Sequence, residues 1–319
     1  MAVHSHTWSG RATRGSRGAR SCRAVTVATV LCAGVLSAAC RGSERPDEAP
    51  STREEGSLGV TRPRIVSLVP SLTEIVVALG ASDQLVARTD FDTHAELVAL
   101  PSIGPGLDPS LEALVGLDVD IVLMTVAREG RALGDRLDAI GIEMITLPTD
   151  EIEDVYAAID RLARLVGMES RGTALEAEIR SGLGEVEAAV GGRPRVDVLY
   201  VVWADPPLTS GGGTFVDALI RAAGGRNVFE DAPLPWPTVG FESIVDRDPD
   251  VVIWPDGDLE TGTLPYVQGL PGWRDVPAVR EGRVVFVDAT TFNRPGPGLV
   301  TSARELARAL HPESFRPPA

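Results

Sequence analysis

The stretch Leu111–Met124 returns in changed form as Phe241–Trp254. Each copy opens on an apolar residue and a glutamate, Glu112 or Glu242, and reaches an aspartate, Asp120 or Asp250, eight residues later. An apolar, strand-like run follows in both, Ile121–Met124 and Val251–Trp254. Two copies separated by so long a period predict two similar lobes. Two lobes leave a cleft between them, and the matched glutamates become candidates for a pair of equivalent surface contacts. That points to a bilobal binding protein rather than a one-site enzyme.

A chain of 319 residues is long enough for about two domains. The first 39 read as a signal rather than as part of the fold. Arg11, Arg14, Arg17, Arg20 and Arg23 form a basic region without an acid, and the apolar stretch from Ala24 to Ala39 is short for a membrane-spanning helix. It ends Leu36-Ser37-Ala38-Ala39-Cys40, small residues before a cysteine, which resembles a bacterial lipoprotein signal with Cys40 as the lipid-modified N-terminus. An ordinary cleaved signal is the alternative, and either form exports the chain. Cys22 and Cys32 leave with the signal, so Cys40 has no partner for a disulfide and no thiol remains for catalysis. The net charge of −15 becomes −20 once the five signal arginines are gone, and the chain contains no lysine. Such acidity disfavours nucleic acid and anionic lipid as partners.

Residues 40–61 are polar and aperiodic and read as anchor and flexible tether. From residue 62, strands are expected at 64–69, 85–87, 121–124 and 143–147, alternating with helices that start at Ser71 and at residues 112, 130 and 151. Ser71 and Glu74 have capping-box spacing. Alternation of buried strands with helices predicts a mostly parallel sheet covered by helices. Residues 169–190 place Leu175, Ile179, Leu183, Val186 and Val190 at helical spacing and stop at Gly191-Gly192-Arg193-Pro194. This helix lies between the two copies and is expected to link an N-terminal lobe, 62–168, to a C-terminal lobe, 193–312, leaving 313–319 as a tail. The second lobe is expected to use 196–202, 212–223, 241–246, 250–254, 283–287 and a last helix near 298–310. A helical linker predicts small lobe motions.

Several segments carry a family resemblance: Arg64-Ile65-Val66-Ser67-Leu68-Val69-Pro70-Ser71-Leu72-Thr73-Glu74 and Leu111-Glu112 with Asp120-Ile121-Val122 in the first lobe, then Asp205-Pro206-Pro207-Leu208-Thr209-Ser210-Gly211, Ala223-Gly224-Gly225-Arg226-Asn227-Val228-Phe229 and Pro235-Trp236-Pro237-Thr238-Val239-Gly240-Phe241-Glu242 in the second. Over 62–312 the chain resembles the periplasmic or lipid-anchored substrate-binding proteins of ABC importers that carry cobalamin, haem and iron siderophores, with the second-lobe segments most like the cobalamin branch. The resemblance implies two Rossmann-like α/β lobes on one linking helix, a monomer, no catalysis and no cofactor. It implies a corrinoid or other metal-chelate ligand as cargo, an ABC permease with its ATPase subunits as partners, and a membrane reached through the lipid anchor. Glu112 and Glu242 would each dock on the permease. A glutamate at a helix start is also explained by the helix dipole, worth about 0.3–1 kcal/mol.

The ligand candidates follow from the same matches. Trp236 stands between prolines that hold it stiffly and offers a flat face to a bulky planar ligand. Leu208 occupies the place of an aromatic, and Thr93 that of a ligand-contacting tyrosine, with Phe91 as its neighbouring substitute. Ser71, Gly106 in the tight turn Gly104-Pro105-Gly106, Phe292 and Arg294 complete the set. Arg294 is a candidate partner for an anionic group. Gly211-Gly212-Gly213-Thr214 lacks the lysine of a phosphate-binding loop. Only His94 and His311 lie beyond the signal, too few for a three-histidine metal site; His94 is a candidate axial ligand to a metal carried by the cargo. A siderophore would call on Arg88, Arg128 and Arg294. The rival from another class is an exported hydrolase using Asp90 and Asp92.

Overall fold

The computed structural model describes residues 62–106, 108–125, 130–256 and 262–315. The signal, Cys40, the tether, Arg128 and residues 316–319 lie outside the described residues.

The first half builds β1 (Ile65–Ser67), α1 (Pro70–Ala78), β2 (Leu85–Ala87), α2 (Leu111–Gly116), β3 (Ile121–Met124), α3 (Gly130–Asp138), β4 (Glu143–Thr146) and α4 (Ile152–Val166). Its four strands run parallel in the order β2-β1-β3-β4. Helix α5 (Glu169–Val190) follows. The second half builds β5 (Val196–Ala204), β6 (Pro207–Thr209), α6 (Phe215–Ala222), β7 (Gly225–Asn227), α7 (Phe241–Arg247), β8 (Val251–Asp256), α8 (Leu264–Gly269), α9 (Pro277–Arg280), β9 (Val284–Asp288), α10 (Ala289–Phe292) and α11 (Leu299–Leu310). Here β7, β5, β8 and β9 are parallel, and β6 folds back antiparallel on β5. The short β6, β7, α8, α9 and α10 carry too little periodicity to be expected from sequence. Helix α1 corrects the expected cap: Val69 is the N-cap with no side-chain bond and Pro70 supplies the preset φ of the first turn. Glu74 is engaged elsewhere, as shown below.

Strand residues alternate between two cores, the mark of sheets buried on both faces. Ile65, Ile121, Leu123, Val198, Tyr200, Val251 and Ile253 enter one cluster that spans both halves. Their neighbours divide: Val66, Val122 and Met124 pack with Leu114 of α2, whereas Leu199, Val201, Val252 and Trp254 pack with Ile244 of α7. Helix α5 contributes Leu175, Ile179, Val186 and Val190 to the shared cluster. Two glycines allow its close approaches. A Cβ on Gly172 would stand 2.4 Å from that of Ala163 in α4, and one on Gly182 would stand 2.6 Å from Val300 in α11.

The sequence repeat is a structural repeat. Residues 111–120 and 241–250 show the same order of exposed, half-buried and buried side chains at every position. Asp118 (φ 48°) and Asp248 (φ 42°) are the two non-glycine residues with positive φ among the described residues. Asp120 accepts the Arg64 backbone N–H at 2.8 Å and Asp250 that of Asp197 at 2.9 Å. Each aspartate, directly before β3 or β8, thus ties the start of that strand to the first strand of its own sheet.

Candidate functional site

A cleft lies where the two sheets present the C-terminal ends of their parallel strands, the usual crevice for a ligand in open α/β sheets. It comprises a cavity of about 500 Å³ on the second-half side and one of about 300 Å³ between the halves, and Ala289 and Asn293 line both. The larger is walled by Trp203, Trp254 and Tyr266 with Asp205 and Asp256; the smaller by Val69, Pro70, Ser71, Phe91, Thr290 and Arg294. Asn293 is fixed from below by the Tyr200 hydroxyl, which donates to its Oδ1 at 2.9 Å. Burial pushes the Tyr200 phenol far above its ordinary pKa, so it stays protonated and a donor.

Of the residues expected at the cleft, Ser71, Phe91 and Arg294 come together in the smaller cavity. Phe91 is 56% exposed. The Ser71 hydroxyl is buried without a hydrogen-bond partner. Arg294 is already engaged: one arm donates to Glu74 of α1 at 2.7 Å and the other to the Phe91 carbonyl at 2.9 Å. It therefore joins the two halves instead of standing free for an anion.

The other candidates have different surroundings. Phe292 is 1% exposed and sits in the shared core, so it offers no surface to a ligand. Trp236 is half-buried; its ring packs on Phe215 at 5.8 Å and its indole N–H donates to Asp150 at 2.8 Å, which makes it a contact between the halves. Gly106 is buried at φ +90°, and a Cβ there would stand 2.5 Å from the Leu68 carbonyl, so the fold itself requires glycine. Leu208, half-buried in β6, and exposed Thr93 are not among the residues lining either cavity. Asp92 caps its own loop by accepting from the Thr89 N–H and hydroxyl, and Asp90 accepts from Ser102. Both carboxylates of the hydrolase reading thus belong to a turn. Glu112 and Glu242 are exposed in the first turns of α2 and α7.

Sequence reasoning missed Trp203, Trp254 and Tyr266. A signal existed for Trp203, since it stands two residues before the stiff Asp205-Pro206-Pro207 turn, much as Trp236 is flanked by prolines. Trp254 stacks edge-on against Trp273 at 5.0 Å, and Trp273 against Phe241 at 5.4 Å.

Residues 65–291 match the family model described as periplasmic binding protein. The chain belongs to the periplasmic binding protein family. Relatives of this periplasmic binding protein include the ABC transporter substrate-binding lipoprotein YvrC of Bacillus subtilis (strain 168), 28% identical over 79% of this chain and 81% of that one. A cobalamin-binding protein of Halobacterium salinarum (strain ATCC 29341 / DSM 671 / R1) is 31% identical over 78% of this chain and 69% of its own length. Among solved structures, the periplasmic heme-binding protein RhuT from Roseiflexus sp. RS-1 in apo form aligns with a TM-score of 0.67 at 26% identity, covering 79% of this chain and 99% of that one.

Proposed function

We propose that this periplasmic binding protein captures a corrinoid outside the cytoplasm and delivers it to the permease of an ABC importer, docking through Glu112 and Glu242 while Cys40 carries a lipid anchor. One observation carries the choice of cargo. Arg294, the cation among the described lining residues, is neutralised by Glu74, so the cleft presents rings, apolar surface and carboxylates. Carboxylates that rim haem, or the anionic groups of a ferric siderophore, would be desolvated there without a counter-charge. A corrin ring bordered by neutral carboxamides meets no such penalty. The cobalamin-binding relative of Halobacterium salinarum supports the same cargo.

Haem is the second reading. The likeness to RhuT supports it.

Calorimetric titration of the purified chain with cyanocobalamin, haemin and a ferric siderophore separates these readings. One-to-one corrinoid binding at micromolar or tighter affinity is expected. Binding of haemin or siderophore alone would reject the corrinoid and keep the importer role.

A further inference from the structure

The larger cavity has a feature that its role as a cargo site does not require. Trp203 is 65% exposed and Tyr266 41%, so two large rings stand open beside Trp254. The Trp203 indole N–H donates to the Asp205 carbonyl at 2.8 Å, which fixes the ring over its own turn. The carboxylate of Asp205 has no ion pair and no hydrogen bond among the described residues. Asp256 lines the same cavity. A pre-oriented aromatic wall therefore carries negative charge with no lining cation other than the neutralised Arg294. The rings accept the face of a flat ligand through apolar contact. The Asp205 carboxylate accepts N–H donors from its edge and repels edge carboxylates.

We propose that Trp203, Tyr266 and Asp205 form a filter for edge charge: it takes ring cargo rimmed by carboxamide N–H donors and turns away ring cargo rimmed by carboxylates. This rests on reading the cleft as the cargo site and adds the chemistry by which one face of it selects. Asp205 is exposed, so solvent and salt screen its field, and the discrimination it contributes is a modest factor.

The test uses the full chain in detergent, with cyanocobalamin as the carboxamide-rimmed ring and haemin as the carboxylate-rimmed one. Asp205→Asn keeps the shape and removes the charge. At low salt it is expected to tighten haemin about threefold to tenfold without tightening cyanocobalamin, and the haemin gain is expected to vanish at about 0.5 M salt. Trp203→Ala is expected to weaken both rings. Haemin affinity unchanged by Asp205→Asn at low salt, or a gain of equal size for both rings, overturns the filter. A wild-type preference for haemin rejects the corrinoid reading alone, provided that Asp205→Asn still tightens haemin. Binding of neither ring by the wild type overturns both.

Discussion

Arg294 and Glu74, 220 positions apart in the chain, form an ion pair at 2.7 Å with side chains 16% and 27% exposed. The same guanidinium holds the Phe91 carbonyl, so one side chain from the loop after α10 fastens both α1 and the loop after β2. Arg294→Met should leave Glu74 partly buried and unpaired and cost about 2 kcal/mol by urea denaturation. Adding Glu74→Leu should recover part of that loss, a coupling of about 1 kcal/mol or more. Strict additivity of the two changes would show that the pair contributes nothing.

Trp273 is 1% exposed, edge-on to both Trp254 and Phe241, and donates its N–H to the Ala204 carbonyl at 3.0 Å. Trp273→Ala should cost about 3–5 kcal/mol. Because Trp254 lines the cleft, the same change should also weaken cargo binding, measured under conditions where the variant is still folded.

Replacing Gly106 should fail for two reasons at once, its left-handed φ and the Leu68 carbonyl 2.5 Å from any Cβ. Gly106→Ala is expected to lower stability by about 2 kcal/mol or more. A thermal midpoint equal to that of wild type would contradict the geometry.

Asp288 caps α10 by accepting from the Thr291 N–H at 2.9 Å and from the Thr290 and Thr291 hydroxyls. The Thr290 hydroxyl first, and the other donors with it, hold its carboxyl below the ordinary aspartate pKa. The folded chain therefore binds this proton less readily than the unfolded chain does. The cap's contribution is complete above the unfolded value of about 3.9 and is lost as pH falls through the folded one. Asp288→Asn should flatten the acid limb of the stability profile below about pH 4 and leave its slope near neutrality unchanged.

Glu112 and Glu242 are exposed side chains. Alanine at either should move stability by less than about 0.5 kcal/mol and leave cargo affinity intact. Uptake of labelled cargo by cells should fall, and fall further in the double variant. Undiminished uptake in the double variant would remove the docking role.

The repeat was legible because its signals are local. The spacing from Glu112 to Asp120 and the apolar run Ile121–Met124 each depend on a few neighbouring residues. The long helix α5 was legible for the same reason, since Leu175, Ile179, Val186 and Val190 recur at helical spacing and all are buried. The cleft was only half legible. No local pattern brings Arg294 to Glu74, or Trp236 to Asp150, because those contacts exist only once the halves have packed. Phe292 shows the converse error: the family match put it at the cleft, yet α10 turns its ring into the shared core.

The shared core and α5 have a mechanical consequence. One core cluster runs from Leu72 to Leu306, and the sheets on whose other faces α2 and α7 pack both contribute to it. In the proposed docking, Glu112 and Glu242 are the two jaws of a caliper. On that docking, a partner that grips both jaws gains little from squeezing them, and the movement that frees the cargo falls to the partner.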